Sequence, residues 1–133
     1  MSSLIATVKQ IQNCESLHIV KFDFFGQTLS MMSLDLKDTI QIGTRVKLVA
    51  KPSHVAIAKD FDGEVSYSNQ LAVTIKECTN GELLSSIKLD FFDTILESII
   101  TVNSSKKMDL KIGDKVTAFI KASEISIGEV LDD

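Results

Sequence analysis

Residues Ile40–Ala58, IQIGTRVKLVAKPSHVAIA, lie without a gap over residues Leu110–Gly128, LKIGDKVTAFIKASEISIG. The shared positions, 70 residues apart, are Ile42/Ile112, Gly43/Gly113, Val46/Val116, Lys51/Lys121, Ser53/Ser123 and Ile57/Ile127, with a basic residue at both Arg45 and Lys115. A chain that uses one unit twice folds as two copies of one small architecture, so every other segment has to be placed within a copy. At 133 residues in all, each copy has about 60–70 residues, a size that buries a modest core and leans on a neighbour.

The first copy spans residues 1–59. LIATVKQIQ alternates apolar and polar residues as a half-buried strand does, and SLHIVKFDFFGQTLSMMSLDL reads as two more strands joined by a turn near Gly26. A turn at Gly43, a strand over Arg45–Ala50, a break at Pro52 and a last short strand follow. Five short strands at this spacing have the rhythm of a small OB-like barrel.

The second copy spans residues 60–133. FDGEVSYS and LAVTIKEC read as strands, with a hairpin turn at TNGE (Thr79–Glu82), and LLSSIKLD is laid over TLSMMSLD of the first copy. That alignment leaves an insertion over about residues 91–109. Phe91, Phe92, Ile95, Leu96, Ile99 and Ile100 fall at i, i+3/i+4 and i+7/i+8 spacing within it, which predicts an amphipathic helix over 91–100 ended by NSSKK. The apolar stripe packs on its own barrel or meets another chain. The predicted fold is therefore all-β: two tandem five-stranded OB-like barrels with a short helical insertion in the second.

The net charge of −4 counts against a general nucleic-acid binder, whose affinity comes largely from neutralising phosphates. Phe22, Phe24 and Phe25 could serve an OB-type single-strand binder, but that reading also needs basic residues among them. The start MSSLIATVKQ lacks the pattern of a signal peptide, and no apolar run approaches the ~20 residues that span a bilayer, so the expected location is cytoplasmic. Cys14 and Cys78 sit at different places in their copies, and Cys14-x-x-x-His18 has no second ligand pair, which points to separate reduced residues. His18 and His54 fall in no recognisable sequence arrangement with an acid or nucleophile, and there is no phosphate-cradling loop, so no enzymatic activity is expected.

The order strand, S-x-x-x-L-D, x-I-G-x-x-V, K-[small]-S-x-[IV]-x-I resembles the Mop or TOBE domain, and two copies in tandem resemble a di-domain molbindin. The resemblance implies molybdate or tungstate as bound ligand, no organic cofactor, and a homo-oligomer whose barrels complete one another's sites. The contact segments it implies map to Ser30 and to Ser85 and Ser86 on the strands, and to Lys51, Pro52 and Ser53 and Lys121, Ala122 and Ser123 on the Lys-x-Ser segments. A third family segment, S-A-R-N before the first strand, has no counterpart in MSSLIA or in AKDFDG, where Ala58-Lys59-Asp60 is a loose echo.

These residue types suit a tetrahedral dianion that only accepts hydrogen bonds. Backbone N–H groups and Ser hydroxyls donate directionally, and one Lys adds a compact charge. Pro52 has no N–H where the second copy has Ala122, so the Lys121–Ser123 segment is expected to make the better site. The alternative function is a regulatory module of the same fold, with weak or no anion binding, acting through a protein partner at the 91–100 helix.

Overall fold

The computed structural model describes residues 2–131. Ten strands form two five-stranded sheets: β1 (Ser2–Cys14), β2 (Leu17–Phe24), β3 (Gln27–Ser33), β4 (Arg45–Ala50) and β5 (Ala56–Ala58), then β6 (Asn69–Asn80), β7 (Leu84–Phe91), β8 (Thr94–Thr101), β9 (Lys115–Ile120) and β10 (Ser126–Leu131). A helix, α1 (Val102–Lys107), lies between β8 and β9. The all-β tandem barrel expected from the repeat is what forms, with a short helix in the second copy.

Each barrel is wound on one long, bent strand. In β1 the residues Ser2–Thr7 pair with β4, and Thr7–Cys14 pair with β2, with a bulge between Val8 and Gln10. In β6 the bulge recurs between Ile75 and Glu77. An extra residue bends a strand and sharpens its twist, which lets one strand serve both walls of a small barrel. Leu4, Ala6 and Val8, and Leu71, Val73 and Ile75, point inward and are buried, the period-2 alternation legible in LIATVKQIQ.

The two copies exchange their last strands. The sheet orders are β10-β4-β1-β2-β3 and β5-β9-β6-β7-β8, so the first copy's β5 pairs with β9 of the second, and β10 pairs with β4 of the first. Gly128 sits at the β10 bulge, where an added Cβ would lie 2.9 Å from Val49 Cγ1. Only a residue without a side chain fits so close to the neighbouring strand.

Four expectations need correction. Residues 91–100 are not a helix: Phe91 ends β7, Phe92 and Asp93 make the turn, and Thr94–Thr101 is strand β8 paired along β7. A spacing of four keeps residues on one face of a strand as well as of a helix, and the β-branched run TILESIIT decides for the strand. The helix is the next segment, VNSSKK, which looked like a terminator; the Thr101 hydroxyl caps it by accepting from the Ser104 N–H. A partner surface on a 91–100 helix therefore does not exist.

The insertion is also far smaller than expected. LSSIKLDFF of β7 is the counterpart of LHIVKFDFF in β2, since both strands end in the same Phe-Phe hairpin. Phe25 and Phe92 are 67 positions apart and Gly43 and Gly113 are 70 apart, leaving three extra residues, absorbed at α1. Laying LLSSIKLD over TLSMMSLD shifted the copies by one strand. Finally, FDGEVSYS is an irregular connection, and the second barrel begins at Asn69.

Candidate oxyanion site at the Lys-x-Ser turns

Each Lys-x-Ser segment folds into one 3-10 turn directly after β4 or β9. Lys51 and Lys121 are extended (φ −68 and −67), and the turns run over Pro52–His54 and Ala122–Glu124. His54 N–H donates to the Lys51 carbonyl at 2.8 Å and Glu124 N–H to the Lys121 carbonyl at 2.9 Å. Val55 and Ile125 anchor the turns in the core, leaving Lys51, Ser53, Lys121 and Ser123 exposed.

Strand exchange carries each turn across to the other copy's sheet. The Ala122–Glu124 turn packs on β3, which bears Ser30, and the Pro52–His54 turn packs on β8. The two turns also meet each other, with His54 Nε2 3.4 Å from Glu124 Oε2.

The most informative residue at the first of these junctions is one that the sequence reading passed over. Asn69 is buried to 1% exposure. Its Oδ1 accepts from the Ser30 N–H at 2.7 Å, and its Nδ2 donates to the Ser30 carbonyl at 3.0 Å. In the ladder, Asn69 stands opposite Ile120, the residue before Lys121. Ser30, Asn69 and the Lys121–Ser123 turn are thereby gathered at one junction between the barrels. The residues that lead into β6 are Ser66-Tyr67-Ser68-Asn69, which keep the Ser and the Asn of S-A-R-N. The segment sought at AKDFDG lies further along because the second barrel starts at Asn69.

The second junction differs in chemistry. The position equivalent to Ser30 is Glu97, since each stands opposite a lysine, Lys21 for Ser30 and Lys88 for Glu97. The Ser86 hydroxyl donates to the Glu97 carboxylate. Ser85, fully buried, donates to Asn80 Oδ1 inside the second barrel. Both hydroxyls are already engaged, and a carboxylate repels a dianion. The buried Ser98 hydroxyl donates to the Val55 carbonyl and ties β8 to the first turn.

Beside the Ser123 turn, a cavity of about 330 Å³ opens between the β3 edge and β10, lined by Met31, Met32, Ile40 and Ile127 with Asp35 and Glu129 among its polar residues. Its apolar wall and carboxylates suit an oxyanion poorly. Among the described residues no cluster of His, Cys, Asp and Glu could hold a metal ion, and no helix is long and apolar enough to cross a membrane.

The TOBE domain model matches residues 66–127, from the Ser that opens SYSN to the Ile that follows the second turn. The molybdenum import ATP-binding protein ModC of Brucella abortus (strain 2308) is 28% identical over 112 residues, which is 84% of this chain and 30% of that protein. ModC of Brucella suis biovar 1 aligns identically. The chain thus spans less than a third of the length of these relatives. Among solved structures, the cytoplasmic molybdate-binding protein ModG, in a molybdate-bound form, superposes with a TM-score of 0.89 at 23% identity, over 96% of this chain and 94% of its own. A molybdate-binding protein from Sporomusa ovata is 40% identical over 53% of this chain and 100% of its own, with a TM-score of 0.47.

Proposed function

From the premise that this chain belongs to the TOBE family, as a tandem molbindin-like protein of the Mop type, we propose that it binds molybdate-class oxyanions at the Lys121–Ser123 turn. The observation that carries this reading is the junction at which Asn69 fixes Ser30 beside that turn. A charge-assisted hydrogen bond contributes about 1.5–3 kcal/mol. Four or five of them reach about −8 kcal/mol, micromolar affinity, after ordering and desolvation costs. Among the described residues neither Lys51 nor Lys121 is paired with a carboxylate, so each ammonium is available to an anion.

The ligand is molybdate or tungstate, and the role is storage, homeostasis or delivery in the cytoplasm, without catalysis. The names of the ModG and ModC relatives support molybdenum chemistry for this chain. Copies of the chain assemble so that barrels complete one another's sites.

Native mass spectrometry with molybdate, tungstate and sulfate titrated separately tests the proposal. A fixed number of molybdate or tungstate adducts per oligomer, with sulfate ignored and adducts lost in K121A/S123A, is the expected result. An oligomer that takes up none would favour the second reading, a regulatory module working through a protein partner. Pro52 and Glu97 at the first turn are what favour that reading.

A further inference from the structure

We propose that the stacked pair Phe25–Phe92 is a docking site for an arginine-bearing segment of another protein. The two β-hairpins that end in these residues meet where the barrels adjoin. Phe24 and Phe91 stack beneath at a centroid distance of 5.1 Å, and Phe25 and Phe92 stack above them at 5.4 Å with 28° between the rings. The lower pair is core, whereas Phe25 is 56% and Phe92 67% exposed.

Both exposed phenylalanines hold an unfavourable backbone. Phe25 has φ 49 and Phe92 φ 48, followed by Gly26 at φ 80 and Asp93 at φ 65. Two consecutive left-handed residues make the tight hairpin that asks for Asn-Gly or Asp-Gly, and a bulky side chain there is strained. The strain occurs twice, and the same residues recur at four positions, Lys21/Lys88, Asp23/Asp90, Phe24/Phe91 and Phe25/Phe92, while most of the surrounding strand has diverged. Strain retained at an exposed position points to a use for the side chain.

Charge selects the occupant. From Asp23 to Thr28 and from Asp90 to Ile95 there are three carboxylates and no basic residue. Asp23 and Asp93 are exposed and have no cation partner among the described residues, while Asp90 keeps Oδ1 buried without a donor. Lys9, which reaches the rim, donates to the Thr28 hydroxyl. A guanidinium stacks on aromatic faces and also pairs with carboxylates in plane. A second copy brings its own acidic rim, and the pair exposes only about 250 Å², far below the roughly 800 Å² per partner of a stable interface. The surface fits one or two anchoring side chains of a transient partner.

The test follows backbone amide shifts of the ¹⁵N-labelled full chain during titration with acetylated, amidated Gly-Arg-Gly-Arg-Gly, and with its lysine and glutamate counterparts. Saturable shifts at Phe25, Phe92 and Asp93, strongest for the arginine peptide, are expected. They should weaken at least tenfold in F25N/F92N, a variant that melts no lower than wild type because Asn accepts the left-handed turn. Absence of saturable shifts, or shifts unchanged in F25N/F92N, overturns the proposal. So does a variant that melts well below wild type, since the phenylalanines would then serve stability. Concentration-dependent self-association that F25N/F92N abolishes also overturns it, by placing a second copy on the surface. None of these outcomes depends on oxyanion binding.

Discussion

The side chain of Asn69 brackets the backbone of Ser30, accepting from its N–H at 2.7 Å and donating to its carbonyl at 3.0 Å. One side-chain amide thus replaces a neighbouring strand at the edge of β3 and joins the second barrel to the first. Asn69→Ala leaves both backbone groups of Ser30 without these partners at a partly buried junction. An unsatisfied buried group costs about 1–3 kcal/mol, so a loss of about 2–4 kcal/mol is expected by urea denaturation. Asn69→Asp keeps the acceptor but removes the donor and sets a carboxylate against the Ser30 carbonyl. It should be at least as damaging and should lower oxyanion affinity further.

The two Lys-x-Ser turns should behave unequally. Ala122 can donate a backbone N–H where Pro52 cannot, and Glu97 stands where the other junction has Ser30. In calorimetric titration with molybdate, K121A/S123A should lose the binding isotherm, whereas K51A/S53A should change affinity less than about threefold. The double change P52A/E97S should add a second set of sites. An equal effect of the two Lys-Ser pairs would contradict the assignment.

Gly128 tests the strand exchange. In Gly128→Ala the new methyl meets Val49 Cγ1 at 2.9 Å and approaches the Lys47 carbonyl at 3.5 Å, so β10 must move off β4. Overpacking of this kind costs about 1–3 kcal/mol. Hydrogen exchange should quicken selectively along β4 and β10, while β6–β7 amides keep their protection.

Asp114 gives a pH dependence of known sign. The Lys111 N–H donates to its carboxylate at 2.9 Å, and the Lys59 ammonium lies 3.4 Å away. The Lys111 hydrogen bond foremost, with Lys59 assisting against partial desolvation, holds its carboxyl below the ordinary 3.8. A carboxyl depressed in the folded state stabilises fully above its unfolded pKa and loses that contribution as pH falls through the folded value. Melting temperatures of wild type and Asp114→Asn should therefore differ at pH 6 and converge as pH falls below about 3.8.

Lys59 also donates to the carbonyls of Met108 and Asp109 at 2.9 and 3.1 Å, just past the end of α1. Lys59→Met should lower the melting temperature by a few degrees, as loss of about 1 kcal/mol does in a chain of this size. It should leave molybdate affinity unchanged, because Lys59 holds the linker and lies outside the Lys121 turn.

Local signals in the chain were enough to determine the architecture of a copy. The alternation in LIATVKQIQ, the strand at Arg45–Ala50 and the break at Pro52 are local consequences of side-chain period and proline geometry, and they appear where expected. The repeated Lys-x-Ser segments were equally legible, and both form the same turn. Residues 91–100 misled because a four-residue spacing satisfies helix and strand alike, and only pairing with β7 settles which forms. Tertiary structure alone decided that β5 and β10 trade barrels, since strands of three and six residues join whichever edge the connecting turn presents to them. That exchange is what brings Lys121–Ser123 to Ser30, and Lys51–Ser53 to the strand carrying Glu97. Which strand meets which Lys-x-Ser turn depends on contacts between residues as distant in sequence as Ser30 and Lys121, or Lys51 and Glu97, and no local pattern encodes such a contact.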